Sequence, residues 1–225
     1  MKALIGIISC ERFSHRAHVQ RETWVWDAIN EGIDVRFFVG RDYDGPPFND
    51  TVVLPVGDGY LSIPLKVQAM FKWSVENDYD FTLKTDDDTL VIPHNLKACF
   101  KDSTHWLGRV RGPSGAYPIK YDGKLLPSGM ELYGPKENSF CSGLGYILDK
   151  QSATVVANAQ HNGDWAEDRW VGQVLHSSGI RPQAHGGFAL YPFSSPTRMG
   201  RLVVVCPHNE PHAVARLYNE AKAQP

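Results

Sequence analysis

The chain has 225 residues, of which 42% are hydrophobic and 21% charged, and its formal net charge is −2 at pH 7. A chain of this length and balance can bury a sizeable core, so it can fold without disulfides or a structural metal. The slightly negative net charge disfavours a protein held on nucleic acid mainly by phosphate contacts, because such proteins usually carry a basic excess.

The cysteines and the apolar runs bear on the cellular compartment. Cys10, Cys99, Cys141 and Cys206 lack the C-x-x-C spacing of a zinc knuckle. No stretch approaches the roughly 18 consecutive apolar residues of a membrane span, and residues 1–9 have no signal-peptide cleavage site. These features predict a cytoplasmic protein with reduced thiols.

The first half of the chain alternates apolar runs with helical patterns. The predicted strands cover residues 2–9, 34–39 and 81–85, and the predicted helices cover 15–30, 65–76 and 93–101. Such alternation indicates an α/β sandwich with a mostly parallel sheet. We expect one domain over residues 1–225, with a donor-binding half at about 1–105 and an acceptor-binding half at about 106–225.

The second half is less periodic. Residues 111–138 are rich in Gly, Pro and Tyr and predict either an irregular substrate-facing region or a pair of short hairpins. Strands are predicted at 143–148 and 202–206, and helices at 165–176 and 212–222.

A carboxylate triplet follows the third predicted strand directly. Asp86, Asp87 and Asp88 therefore lie at a strand's carboxyl end, where open α/β sheets bind ligands. Their hard oxygens suit Mg²⁺ or Mn²⁺, and strand-like alternation predicts that Asp86 and Asp88 point the same way while Asp87 points opposite. A solvated acidic turn is the alternative. His208, after the last predicted strand, is the candidate third ligand, and His212 is the alternative ligand. Without a metal, His208 would simply cap a loop.

Two further groups have a functional and a structural interpretation. Glu167 and Asp168 lie between two tryptophans, where a partly desolvated carboxylate could act as a general base, or they form the acidic first turn of a helix. Arg12, Arg16 and Arg21 follow the first strand and could hold a diphosphate or a uracil-type base, or form a solvated basic face.

Taken in chain order, these motifs resemble a known family over roughly residues 3–210. The motifs are Arg12-x-x-x-Arg16, Arg21-Glu22-Thr23-Trp24, Phe38-Val39-Gly40, Lys84-x-Asp86-Asp87-Asp88, Cys141-Ser142-Gly143-x-Gly145-Tyr146 and Glu167-Asp168-x-x-Val171-Gly172. Their order resembles glycosyltransferase family 31, the β-1,3-galactosyltransferase, N-acetylglucosaminyltransferase and fringe group. The resemblance implies a GT-A-type, Rossmann-like αβα sandwich, a UDP-sugar donor, Mn²⁺ (or Mg²⁺) and inversion at the anomeric carbon.

The resemblance also implies residue roles. Asp86 and Asp88 match the metal and donor motif, in which Asp87 is a further donor-binding candidate, and His208 matches the late histidine that joins the metal. Asp168 matches the catalytic base. The remaining donor-binding positions are Lys84, Arg12, Arg16 and Arg21, together with Ser142 and Gly143 in a glycine-rich turn beside the sugar.

The sequence also departs from the family pattern. Leu144 interrupts the usual glycine run, and the chain begins close to its first strand, whereas animal members carry a membrane anchor. A cytoplasmic enzyme of bacterial or viral origin fits, with a glycan, lipid-linked sugar, protein hydroxyl or modified nucleobase as acceptor. Two alternatives stay open: a viral transferase acting on a hydroxymethylated DNA base, suggested by basic residues at 109–111 and 198–201, and a catalytically silent carbohydrate-binding protein.

Overall fold

The computed structural model describes most of the chain, and its elements alternate between strands and helices. The described residues are 1–46, 48–101, 104–111, 139–191, 201–207 and 213–223, with the backbone of 120–121 and 124–125. The strands are β1 (Ala3–Ile8), β2 (Asp34–Val39), β3 (Thr51–Val53), β4 (Phe81–Asp86), β5 (Leu90–Val91), β6 (Trp106–Arg111), β7 (Lys120–Tyr121), β8 (Lys124–Leu125), β9 (Phe140–Asp149), β10 (Gln183–Ala184), β11 (Phe188–Leu190) and β12 (Val204–Cys206). The helices are α1 (Ser14–Glu22), α2 (Val25–Asn30), α3 (Ile63–Glu76), α4 (Pro93–Lys97), α5 (Lys150–Ala157), α6 (Glu167–Ser177) and α7 (Ala213–Lys222), with 3₁₀ turns at Glu11–Phe13 and Tyr60–Ser62.

The central sheet is mostly parallel, as the sequence predicts. Within the described residues it has seven strands in the order β10-β6-β9-β4-β1-β2-β3. Strand β9 runs antiparallel to both of its neighbours, β4 and β6, while the other pairs in the sheet are parallel. A smaller sheet, β11-β12-β5, packs beside it, and β7 and β8 form a short hairpin.

Helices cover both faces of the central sheet, and side chains of β1 alternate between the two cores. Ile5 and Ile7 pack on the side of α1, α2, α4, α7 and the smaller sheet, whereas Leu4 and Ile8 pack on the side of α3, α5 and α6. Burial on both faces explains why the strand is almost continuously apolar. The α/β sandwich predicted from the sequence is confirmed.

Several predicted elements have different limits. The helix predicted over 15–30 is two helices, because Thr23 (φ −116°, ψ −105°) leaves the helical region and turns Trp24 into the core, where it is fully buried. The helix predicted over 93–101 ends at Lys97, after which Phe100 stacks on Phe81 with 5.5 Å between ring centroids. The elements absent from the sequence prediction are β3, β5, β6, α5, β10 and β11.

None of the described helices combines the length and the apolar character that crossing a membrane requires.

The end of β2 is locked to the loop before α3 by a close backbone approach. A Cβ on Gly40 would lie 2.6 Å from the Cα and N of Asp58, and the Gly40 N–H donates to Asp58 Oδ1 at 2.7 Å. Side chains do not fit at such a distance without movement of the backbone.

We therefore predict that Gly40→Ala lowers the free energy of unfolding by about 1–3 kcal/mol, because the loop must move to admit the methyl group. Gly59→Ala is the matched control, since its Cβ would meet nothing within 4 Å and its φ of −72° suits alanine. Urea unfolding of both variants measures the difference. Equal stability of the two variants would contradict the packing described.

Candidate active site

The site forms where strand ends meet at one edge of the sheet. Strands β1 and β4 run parallel, with Ile8 opposite Asp86, so the chain leaving β1 and the carboxylate triplet leaving β4 lie side by side. Strand β9 lies on the other side of β4, and its residue Gly145 faces Thr85. The carboxyl ends of parallel strands are the usual ligand-binding edge of such sheets.

Asp86 is the last residue of β4 and pairs with a buried lysine two residues earlier. Asp86 Oδ1 lies 2.8 Å from Lys84 Nζ, as expected for residues i and i+2 on one face of a strand. The Asp86 side chain is 40% exposed and that of Lys84 only 1% exposed. Burial lowers the pKa of Lys84, but the carboxylates of Asp86 and Glu167 outweigh burial and keep the pKa above its ordinary value.

Asp87 points into the protein instead of into the cleft. Its carboxylate accepts hydrogen bonds from Ser9 Oγ at 3.0 Å and Arg16 NH1 at 3.3 Å. Burial and the neighbouring Asp88 raise the pKa of Asp87 to about 7, against the attraction of Arg16. Strand β4 ends at Asp86 and the next two residues form a turn, but Asp87 still turns away from the side on which Asp86 and Asp88 remain exposed.

Asp88 lies close to the end of β12. Cys206 Sγ is 3.8 Å from Asp88 Oδ1, and after burial the carboxylates of Asp88 and Asp86 are the causes that raise the pKa of the Cys206 thiol. Asp86 and Asp88 therefore both lie near the last residue of β12, which agrees with their predicted grouping. His208, two residues beyond Cys206, lies outside the described residues, as does His212, so the imidazole ligand stays a prediction.

Gly143 belongs to a bulge in β9. In the pairing with β6, Tyr146 lies opposite Gly108 and Cys141 lies opposite Val110. Residues 142–145 of β9 therefore stand against a single residue of β6, Arg109, and form a bulge. The glycine-rich turn predicted for 141–143 is therefore wrong in detail, because the segment is a bulge inside a strand. Bulges re-aim the backbone beside many active sites. The half-buried Ser142 lies in the same bulge.

The bulge holds the carboxylate of Asp168. The Gly143 N–H donates to Asp168 Oδ2 at 3.0 Å, and the Arg169 N–H donates to Asp168 Oδ1 at 2.8 Å. Burial raises the pKa of Asp168, while both N–H groups lower it. Asp168 is less buried than its neighbour Glu167.

Glu167, the neighbour of Asp168, is enclosed. It is 8% exposed, accepts a hydrogen bond from Tyr146 Oη, and lies 3.2 Å from Lys84 Nζ. Burial raises the pKa of Glu167 to about 7, although Lys84 lowers it. Both acids occupy the first turn of α6, as one interpretation of the sequence predicts, and the enclosure of Glu167 leaves Asp168 as the accessible carboxylate of the pair.

The flanking tryptophans differ in their environments. Trp170 is a core residue with 1% exposure, while the half-buried Trp165 packs against Tyr60 with 6.2 Å between ring centroids. Trp165 lies two residues before the first residue of α6.

The three arginines predicted for donor binding are not equivalent. The guanidinium groups of Arg12 and Arg16 lie 5.4 and 4.0 Å from the ring centroid of Phe13, and Arg16 also reaches the triplet. Arg21 instead forms a bidentate ion pair with Asp50, in which Nε and NH2 each donate to a carboxylate oxygen at 2.8 Å. The structure thus brings Arg16 beside the triplet, keeps Arg12 next to Phe13, and engages Arg21 in holding the start of β3.

The sequence interpretation did not identify a second buried lysine, Lys66. Lys66, 1% exposed, donates to Ser9 O at 2.8 Å and to Asp58 Oδ1 at 2.5 Å. Asp58 also accepts from the Glu11 and Gly40 N–H groups, so it joins the chain segments that follow β1 and β2. A glycine on each side of Asp58 is the only local signal of this role.

Among the described residues, the cleft at these strand ends carries more acidic than basic side chains. Its described carboxyl groups are Asp86, Asp87, Asp88, Glu167 and Asp168, and the described cations that act on them are Lys84, Arg16 and Arg111. Side chains of Asp86 and Asp88 keep 40% and 25% exposure. Exposed carboxylate oxygens near one point fit a hard divalent cation. Among the described residues no group of three or more His, Cys, Asp or Glu could hold a metal ion, and the predicted ligand His208 lies outside these residues.

The mostly parallel αβα sandwich, with acidic side chains at the ends of its strands, is a fold of the GT-A type. A solved glycosyltransferase involved in the glycosylation of the major capsid of PBCV-1 has the same fold, with a TM-score of 0.55, 11% identity and 99% coverage of each chain. The sequence profile of the Galactosyltransferase family matches residues 15–185. The chain therefore belongs to the galactosyltransferase family.

Curated relatives agree with this membership. The chain is 26% identical over 230 residues to human beta-1,3-galactosyltransferase 1, with 91% of this chain and 69% of the relative covered. It is 32% identical over 147 residues to zebrafish UDP-GalNAc:beta-1,3-N-acetylgalactosaminyltransferase 2 and 23% identical over 147 residues to mouse acetylgalactosaminyl-O-glycosyl-glycoprotein beta-1,3-N-acetylglucosaminyltransferase. Both of these matches cover 62% of this chain, but only 29% and 38% of the respective relative.

The geometry around Gly143 gives a testable prediction. A Cβ on this residue would lie 3.3 Å from Glu167 Oε2, so that carboxylate must shift by a few tenths of an ångström, whereas the 3.6 Å to Asp168 Oδ2 is an ordinary contact. We expect Gly143→Ala to lower the rate of glycosyl transfer about tenfold or more, because a shift of Glu167 also displaces the adjacent Asp168 and small displacements of reacting groups are costly.

The control for this variant is Gly186→Ala, whose Cβ would meet nothing within 4 Å. Transfer rates and melting temperatures of the two variants are compared with those of the wild type. A wild-type rate in Gly143→Ala would show that the bulge does not position the carboxylates.

Proposed function

We propose that this protein transfers a hexose or N-acetylhexosamine from a UDP-sugar to an acceptor hydroxyl, with inversion at the anomeric carbon, as a β-1,3-galactosyltransferase-like enzyme. One observation carries the proposal: Asp168, the accessible member of a carboxylate pair, is held by the Gly143 N–H in the same cleft as Asp86 and Asp88. Membership of the galactosyltransferase family and the UDP-GalNAc in the name of the zebrafish relative support the class of donor.

The acidic triplet is the proposed site for the donor's diphosphate. Asp86 and Asp88, with His208 as the predicted third ligand, would hold Mn²⁺ or Mg²⁺, and the bound ion would neutralise charge on the departing nucleoside diphosphate. Arg16 lies beside Asp87 and Asp88 and supplies a fixed positive charge next to the same position. An acidic cleft without a cation would repel a diphosphate, so the donor and the ion are expected to bind together.

Asp168 is the proposed general base. In an inverting transfer the acceptor oxygen bonds to the anomeric carbon as the bond to phosphate breaks on the opposite face. Asp168 takes the proton of the acceptor hydroxyl. Its two backbone hydrogen bonds fix the orientation of the carboxylate, and burial raises its pKa toward a value useful for a base near neutral pH.

A glycan, a lipid-linked sugar or a protein hydroxyl is the favoured class of acceptor. Among the described residues the cleft has more acidic than basic side chains, whereas surfaces that contact DNA phosphates are basic. Of the two basic segments, 109–111 lies on β6 and 198–201 lies mostly outside the described residues. Cytoplasmic location and a bacterial or viral origin remain predictions.

The proposal predicts the outcome of a donor screen. Purified protein is incubated with a panel of UDP-sugars, Mn²⁺ and glycan acceptors, and released UDP is measured together with the glycosylated product. We expect one hexose or N-acetylhexosamine donor to be used, and EDTA to stop turnover until Mn²⁺ is restored. Folded protein that consumes no donor would instead support the silent carbohydrate-binding alternative, and transfer to hydroxymethylated duplex DNA would support the DNA-modifying one.

A substitution tests the base separately. Asp168→Asn keeps the size of the side chain but loses the proton acceptor, so transfer should fall about 10²–10⁴-fold while the affinity for the UDP-sugar, measured by calorimetry, stays within about twofold. Asp78→Asn is the control, because Asp78 is exposed and asparagine tolerates its φ of 63°. Near-normal transfer by Asp168→Asn would show that another group accepts the proton.

A further inference from the structure

A buried ammonium lies between the proposed metal side and the proposed base side of the cleft. Lys84 Nζ donates to Gly143 O at 2.7 Å and lies 2.8 Å from Asp86 Oδ1 and 3.2 Å from Glu167 Oε2. An ammonium has three hydrogens, so these three acceptors use its whole capacity. A donor phosphate could bind Lys84 directly only by displacing one of them.

Glu167 is fixed from its other side as well. Lys84 and Tyr146 stand opposite each other in the β4–β9 pair, and the Tyr146 hydroxyl donates to Glu167 Oε1. The two oxygens of Glu167 thus bind a strand residue on β9 and one on β4. This ties the first residue of α6 to both strands. Glu167, Lys84 and Tyr146 are each 8% exposed or less, so water competes little for these contacts.

The same contacts reach Asp168 through Gly143. Lys84 holds the Gly143 carbonyl, and the Gly143 N–H holds Asp168 Oδ2. Asp168 also follows Glu167 directly in α6. Two short routes therefore join Lys84 to Asp168, one through the β9 bulge and one through the helix start, while Lys84 contacts Asp86 itself.

We propose that Lys84, Glu167 and Tyr146 form a buried strut that fixes the position of Asp168 relative to Asp86, with Lys84 and Glu167 as positioning residues that touch neither donor nor acceptor. The functional meaning of this spacing rests on the proposed function, which assigns Asp86 to the donor and metal and Asp168 to the base. The donor-binding role that the family resemblance implies for Lys84 is then indirect, through Asp86.

Removal of one hydroxyl tests the strut with little change in packing. Tyr146→Phe keeps the ring and deletes the hydrogen bond to Glu167. We expect kcat to fall about tenfold, the size expected for one hydrogen bond to a charged group, while KM for the donor stays within about twofold.

Tyr79→Phe is the matched control. The buried Tyr79 also donates its hydroxyl to a carboxylate, Asp34 Oδ2, at 2.8 Å, but it precedes β4 and so lies at the opposite end of that strand from Asp86. We expect no change in kcat or KM in this variant. A rise in donor KM with unchanged kcat in Tyr146→Phe would overturn the proposal and indicate that the group binds the donor.

Hydrogen exchange provides a readout that does not depend on catalysis. Glu167→Gln leaves Lys84 its contacts with Asp86 and Gly143, so the variant is expected to fold, but it loosens the start of α6. The Gly143 amide should then exchange faster, by about tenfold or more, than in the wild type and in Tyr79→Phe. Unchanged exchange at Gly143 would overturn the strut.

A double variant separates positioning from a general loss of stability. Lys84→Met combined with Glu167→Gln removes the buried charges together and avoids an unpaired one. If the residues act as a unit, kcat of the double variant matches that of the slower single variant; additive losses would contradict the proposal. A wild type that uses no donor would refute the proposed function, while exchange at Gly143 would still decide whether the strut exists.

Discussion

The site depends on one physical constraint: the buried ammonium group of Lys84 must remain bonded to its hydrogen-bond acceptors. Removing an ammonium from water is costly unless hydrogen bonds and opposite charges replace the lost solvation. Lys84 meets this requirement with one carbonyl and two carboxylates, contributed by β4, β9 and α6. Because any movement of these elements would leave the charge unsatisfied, the requirement for solvation also determines the geometry of the cleft.

A second consequence concerns the distribution of acid around the cleft. Asp87 is turned inward to Ser9 and Arg16, while Asp86 and Asp88 remain exposed near the end of β12. One member of the triplet therefore anchors the loop after β4, and the other two remain available to a ligand. Anchoring of this kind matters because clustered like charges otherwise separate, and a cation site needs its oxygens close together before the ion arrives.

The sequence predicts those parts of the fold that have a strong local signal. The apolar runs of β1, β2 and β4 are buried on both faces and were recognisable for that reason, and so were the triplet and Asp168 with their positions at element ends. Local patterns fail where a long-range contact decides the structure. The break at Thr23 exists because Trp24 enters the core, and the two-residue strand β5 is defined by pairing with β12, more than a hundred residues away.

The same contrast between local sequence signals and long-range contacts applies to the site. Nothing in the segment around Lys84 indicates that its partners lie 59 and 83 positions further along the chain. The bulge at 142–145 depends on the register of β6, a strand whose glycine and two arginines hide its apolar character. Sequence motifs therefore identify the candidate site carboxylates, but not the groups that hold them in place.

The predicted donor-binding and acceptor-binding halves are joined by strand pairing in the structure. Strand β9, from the second half, pairs directly with β4, from the first, and the two halves share one sheet and its cores. Asp86, at the end of β4, and Asp168, held by Gly143 of β9, are consequently linked through a single pair of strands. A hinge between two lobes could change the distance between these two carboxylates, whereas a shared sheet resists such a change because hydrogen bonds along both strands would have to break. In this fold the register of β4 against β9 sets the spacing of Asp86 and Asp168.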